Sequence, residues 1–367
     1  MIVAIACTGC RFSKVAPDAT VVVSGRALDA AGHPLTGATV RLYKQADLGE
    51  ALLGTVVTLG MLGADCLLPV APTVCHRART ATTDEDGRYR FRLAGADTQG
   101  TLGTESTLAL VVADPSAGAD GASTTLTFTA RSSTVALPAA RLWDAHPQVT
   151  ERGRSVRLSW GTLPAGAGTG ATFSAQWFGT GQQEPGWTQP AAGRQAAIDA
   201  RILEDRPGAL AAAAHTSFGG DSDAHASYLS QRLPVRPTAG APPSRGRPCL
   251  AVTGATAPAT VQARCTATDG DLFTPARLTG RNAGVVTGVV VDLGRVRPVR
   301  LVVTRGVVGG FVVETSTDGH GYRTAATGTG SGLGRAVALR LSSEARYVRV
   351  RSPSGLDESL LDEVSVW

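Results

Sequence analysis

Cysteine, histidine and carboxylate are the side chains here that could do chemistry, and their spacing limits which chemistry is open. The chain holds six cysteines and six histidines. Cys66 lies near Cys75, and Cys249 near Cys265. Metal ligation would need Cys and His at converging spacings, and His76 beside Cys75 is the sole hint of one. Two disulfides, Cys66–Cys75 and Cys249–Cys265, are the better reading, and they imply an oxidising compartment. Each would close a short loop and stabilise it by roughly 3 kcal/mol on the chain-entropy account. The histidines (His33, His76, His146, His215, His225 and His320) fall in different turns. The sequence has no Gly-x-Ser-x-Gly elbow, no His-Glu-x-x-His pair and no phosphate loop. Asp221, Asp223 and His225 read as a solvated polar loop. No catalytic residue is assigned, and the chain is expected not to be an enzyme.

The elements that position these residues read as strands. Among 367 residues, 44 are Gly and 20 are Pro, and aromatics make up 5%. Short β-branched runs separated by Gly, Pro and Asp argue for an all-β chain of three consecutive β-sandwich domains. Helical periodicity is nearly absent, and even Arg194–Asp205 reads as a strand plus turn. The net charge is +5, with Lys14 and Lys44 the only lysines. The arginines are scattered along strands, so the basic stripe with interleaved aromatics that nucleic-acid binding needs is missing.

The segment Glu314–Tyr322 reads as a strand end running into a tight turn. Asp318 can accept from its own downstream backbone, and Gly319 takes positive φ freely. Strand-like runs flank it at Val289–Leu293 and Arg346–Val350, and the chain ends Leu361-Asp-Glu363-Val-Ser-Val-Trp367. Taken together, residues 249–367 resemble the discoidin (coagulation factor type C) family, a galactose-binding-like jelly roll. The resemblance implies a domain that binds sugars or lipid head groups and performs no reaction. Ala267–Thr274 resembles that family's first loop, which often holds a structural calcium. The positions matching its ligands are Asp269, Asp271, Thr274 and Glu363; an Asx turn without metal is the other reading of the loop. Calcium would want about six to eight oxygens there, and no organic cofactor is implied. Thr274-Pro-Ala-Arg277 stands where the family commonly has a Trp. Phe273, Arg277, Arg281 and His320 are the candidate sugar-binding residues, with Tyr322 more often a core aromatic at its position.

Residues 17–137 carry Gly25, Asp29, Gly32, Pro34, Leu35, Gly37, Ala38 and Val40, then Thr83, Asp84, Gly87, Tyr89 and Phe91. This pattern resembles the carboxypeptidase regulatory-like family, a prealbumin-type sandwich without zinc ligands. Residues 138–236 alternate at Val156, Leu158 and Trp160 and resemble a fibronectin type III module; Trp160, Trp177 and Trp187 read as core. Residues 237–248 lie in a Pro/Gly-rich stretch and read as a stiff spacer. Residues 1–16 resemble the end of a bacterial lipoprotein signal, shortened on its N-terminal side, with Cys10 or Cys7 as the lipidated residue. The function expected is a non-catalytic, extracellular, lipid-anchored protein of the cell membrane that binds carbohydrate or cell-wall glycan through its last domain. Alternatives are a scaffold that binds envelope proteins and, less so, an accessory part of a glycoside-processing enzyme. No nucleic acid is expected as a partner, and the membrane only through the lipid.

Overall fold

The computed structural model describes residues 12–44, 79–100, 103–116, 118–182, 185–203, 206–219, 223–253, 265–272, 276, 286–331, 335–352, 356 and 361–367. Strands dominate them. The first eight are β1 (Thr20–Leu28), β2 (Thr39–Lys44), β3 (Arg79–Thr82), β4 (Arg88–Ala94), β5 (Thr107–Ala113), β6 (Ser123–Thr129), β7 (Thr134–Ala136) and β8 (Ala140–Arg141). The next eight are β9 (Gln148–Arg152), β10 (Ser155–Ser159), β11 (Thr169–Gly179), β12 (Trp187–Ala191), β13 (Gln195–Asp199), β14 (Gly208–Ser217), β15 (His225–Leu229) and β16 (Leu233–Val235). The last six are β17 (Cys249–Thr253), β18 (Val286–Arg305), β19 (Val308–Ser316), β20 (Arg323–Ser331), β21 (Ala336–Arg351) and β22 (Glu363–Val366). The fold is all-β, as the composition predicts. A single helical turn, Ala200–Leu203, follows the strand expected within Arg194–Asp205.

Local sequence explains the strands and their turns. β4 alternates exposed and buried along Arg88-Tyr-Arg-Phe-Arg-Leu-Ala94, which puts Tyr89, Phe91 and Leu93 on the core side. The turn before it is closed by Asp84, whose Oδ1 accepts from the amides of Asp86 and Arg88 at 3.0 and 2.7 Å. Gly87 then takes φ +71° beneath the Ala27 carbonyl, where a Cβ would sit 2.5 Å from that oxygen. Trp160, Trp177 and Trp187 are all buried, as core residues should be.

Two small sheets, β4-β1-β7 with β8 and β13-β10-β9, pack over one nine-stranded sheet. That large sheet runs β12-β11-β14-β15-β6-β5-β2-β3, with β16 on β14. β15 pairs antiparallel with β6 from His225↔Thr127 to Leu229↔Ser123. The sheet therefore crosses the boundary placed at 137–138, and one core lies under both halves. The physical reason is edge protection: β6 and β15 would otherwise each present unpaired backbone groups to water.

The third sandwich has its own core around Val289, Val291, Phe311, Val313, Val348 and Val350. β18 and β21 pair along most of their length, but the register shifts between Asp292 and Arg297. Before the shift, β18 lies between β17 and β21, with β19 and β20 beyond; after it, β18 pairs with β22 on its other side. The two long strands thus serve both layers of the jelly roll. The Cys249–Cys265 disulfide is formed. Cys66 and Cys75 lie outside the described residues.

Residues 237–248, expected to be a spacer, lie against the third sandwich. Ser244 is fully buried and its hydroxyl accepts from the Val366 amide at 2.9 Å. Gly246 donates to the Thr268 carbonyl at 2.6 Å, and Asp292 to the Pro248 carbonyl at 3.0 Å. A segment without apolar period has been docked by backbone hydrogen bonds, which hydropathy patterning does not report. The second and third sandwiches also meet directly. Leu301 and Val303 join the core of the first two, and the Arg305 guanidinium, wholly buried, donates to the carbonyls of Gly186 and Ile202 at 3.2 and 2.7 Å. Its carbon lies 5.4 Å from the centre of the Trp177 ring.

Candidate functional site

The turn singled out in the sequence closes as expected. β19 ends at Ser316, and Asp318 Oδ1 accepts from the amides of His320 and Gly321 at 2.8 and 3.0 Å. The Ser316 hydroxyl adds a 2.9 Å bond to the same oxygen. Gly319, at φ +83°, packs on the Tyr347 ring, with 3.2 Å between the ring and a would-be Cβ. His320 is exposed at the tip of this turn. Tyr322 is half-buried, with the Arg349 guanidinium 4.0 Å from its ring centre.

From Tyr347 a run of contacts continues through residues that sequence reasoning did not single out. Tyr347 is the register partner of Asp292, and Arg346 grips both Asp292 oxygens at 2.9 and 3.0 Å. Gly294 donates to the same carboxylate at 2.8 Å. The Arg247 guanidinium lies 3.1 Å from a Cβ built on Gly294, and the Arg247 carbonyl accepts from the Thr268 hydroxyl at 2.8 Å. Thr268 belongs to the Asp-Gly loop. The structure thus links the His320 turn to that loop through Tyr347, Asp292 and Arg247. The signal for Arg346 and Tyr347 was the run Arg346–Val350, which reads simply as a strand.

Charge at the turn tip is held by hydrogen bonds. The amides of His320 and Gly321 and the Ser316 hydroxyl pull the Asp318 carboxyl down to about 2. A carboxyl depressed on folding contributes stability that is present above its ordinary range and is lost as the pH falls through the folded value. The His320 and Gly321 amide resonances are therefore expected to hold their shifts from neutral pH to about pH 3 and to move with a midpoint near 2. A midpoint at the ordinary carboxylate value, or no change on Asp318→Asn, would remove these bonds from the account.

Asp269 and Asp271 are exposed, whereas Glu363 is fully buried. Asp269 Oδ1 accepts from the Asp271 amide at 2.8 Å, the Asx turn of the alternative reading. Glu363 Oε2 accepts from the Gly270 amide at 3.3 Å. The Gly270 carbonyl accepts from the Arg206 guanidinium. Among the described residues, no group of three or more His, Cys, Asp or Glu could hold a metal ion. Of the four positions matched to calcium ligands, Asp269 and Glu363 each accept from a backbone amide. Thr274, Phe273, Arg277 and Arg281 lie outside the described residues, so of the four candidate sugar-binding positions only His320 is placed.

The fold defines an all-β protein built from sandwiches, the last a jelly roll. No family model matches the chain, and no curated protein matches it. Among solved structures it is similar to CpGH89CBM32-5 of Clostridium perfringens, in complex with GalNAc-β-1,3-galactose, at 16% identity over 32% of this chain and 93% of that one, with a TM-score of 0.27. The family 32 carbohydrate-binding module of C. perfringens NanJ, in complex with galactose, shares 15% identity over 28% of this chain and 81% of its own, with a TM-score of 0.24. Chitosan-binding module 2 of the Paenibacillus sp. IK-5 chitosanase/glucanase, in complex with chitotriose, shares 16% over 34% and 98%, with a TM-score of 0.25.

Proposed function

We propose that this is a non-catalytic binding protein whose third sandwich recognises carbohydrate through the end that carries the His320 turn. The observation that carries the reading is the joining of that turn to Tyr347 and the Arg346–Asp292 pair. An exposed imidazole follows the glycine that packs on the half-buried Tyr347 ring, and Asp292 is fixed by a bidentate guanidinium. Such a set offers donors and acceptors for the hydroxyls of a sugar. The discoidin-like pattern of residues 249–367 supports it. In the same reading, residues 17–137 are a carboxypeptidase regulatory-like sandwich and 138–236 a fibronectin type III-like one. Both act as support, outside the cell, with lipid at Cys10 or Cys7 as the membrane anchor. Those two cysteines lie outside the described residues, and their lipidation is tested by labelling the expressed chain with a fatty acid; absence of label that depends on either cysteine removes the anchor.

The full chain on an array of cell-wall polysaccharides and glycans is expected to give discrete hits. His320→Ala and Tyr347→Ala are each expected to weaken them about tenfold, the worth of one hydrogen bond or ring contact. A blank from folded protein favours the envelope-scaffold reading, and release of sugar from a bound glycan overturns the non-catalytic one.

A further inference from the structure

We propose that the positive charge at the Asp-Gly loop is supplied by guanidinium groups of the chain itself, with Arg206 as the positioning residue, in place of a metal ion. The loop's oxygens face N–H donors. The Thr266 carbonyl accepts from the Asp269 amide at 3.0 Å, the Ala267 carbonyl from Val364 at 2.7 Å and the Thr268 carbonyl from Gly246 at 2.6 Å. The Gly270 carbonyl takes the Arg206 guanidinium. The carboxylates are engaged in the same way, Asp269 by the Asp271 amide and Glu363 by that of Gly270. A calcium ion needs about six to eight oxygens turned toward one point; here these described oxygens accept from separate N–H donors.

Two guanidinium groups crowd the same glycine. A Cβ built on Gly270 would lie 3.0 Å from Arg245 Nε and 3.6 Å from Arg206 Nη2, on a backbone held at φ +86°. A divalent cation placed beside this glycine would meet repulsion from both guanidinium groups. The two arginines come from different places. Arg245 lies in the docked segment before β17, and Arg206 in the second sandwich, just after the helical turn Ala200–Leu203. The loop is thus fixed by a neighbouring sandwich. This holds whatever the third sandwich binds, so its test needs no sugar.

The test is thermal unfolding and calorimetric titration of the full chain with calcium chloride and with chelator. The wild-type midpoint is expected to be the same in both, with no saturable heat of calcium binding. Arg206→Ala is expected to lower the midpoint by several degrees, because the Gly270 carbonyl loses its donor. Arg206→Lys, which keeps a cationic donor, is expected to recover part of that loss. Saturable calcium binding by the wild type overturns the proposal, as does an Arg206→Ala protein with an unchanged midpoint. If Arg206→Ala does not fold, the wild-type titration and Arg206→Lys decide the matter alone.

Discussion

Arg305→Met is expected to loosen the third sandwich from the second and to cost about 1–3 kcal/mol, the range for leaving a buried carbonyl without its donor. The arginine reaches out of the end of β18 and is wholly buried. It serves the carbonyls of Gly186 and Ile202 and lies over Trp177. Methionine keeps much of the stem volume but leaves both carbonyls without that donor, each worth about 1–3 kcal/mol when buried. Nearby, Ala336 donates to the Gly186 carbonyl at 2.9 Å, so one of the two acceptors keeps a partner and the estimate stays below the sum of all losses. The exposed Arg340 also reaches the Asp199 carboxylate at 3.3 Å between the same two sandwiches, and it is expected to add little because Arg201 already grips both oxygens of that carboxylate. The readout is urea unfolding followed by tryptophan emission, because Trp177 lies at the contact, together with the rate of limited proteolysis between residues 203 and 249. An unchanged unfolding curve and an unchanged cleavage rate would show that the apolar contacts of Leu301 and Val303 hold the sandwiches together unaided.

The second large effect is expected at the disulfide. Cys249 opens β17 and Cys265 precedes the Asp-Gly loop, 16 positions away. Cys265 donates its amide to the Cys249 carbonyl at 3.2 Å, and both side chains are buried. Opening the bridge frees a loop of that size in the unfolded chain, so the double change Cys249→Ala and Cys265→Ala is expected to cost about 3 kcal/mol. Mild reductant should reproduce the loss on the wild type, and on the double variant should remove only what the expected Cys66–Cys75 bridge contributes. Equal unfolding midpoints for oxidised and reduced protein would assign the loop's order to its hydrogen bonds.

What was legible in the sequence was local. Asp84 and Gly87, and again Asp318 and Gly319, mark their turns because an Asp side chain can take downstream amides and Gly can take positive φ. Val156, Leu158 and Trp160 show their inward face because a strand repeats every two residues. The rest depended on partners far away in the chain. Ala211, Ala212, Ala213 and Ala214 are buried in β14 against β11, yet alanine carries little strand preference, so the run gives a weak signal. Nothing in Thr124–Phe128 says that the covering strand will come from His225–Leu229. Arg305 follows Val-Val-Thr like any strand-end arginine, and only the packed structure shows where its guanidinium goes. At the candidate site, the turn could be read from its own residues, whereas Arg346–Asp292 and Arg206 could not, because an ion pair across sheet register leaves no periodic trace.

The docked segment 237–248 changes how the third sandwich can meet a surface. A recognition end on a loose tether explores a wide volume, and that freedom is lost at each contact. Ser244, Gly246 and Pro248 tie this segment down before any ligand arrives, so the end is presented with its tether entropy already spent during folding. Under the proposed function, neighbouring anchored copies would gain avidity only where the spacing of the glycan matched theirs, since they would have little slack to bridge a mismatch.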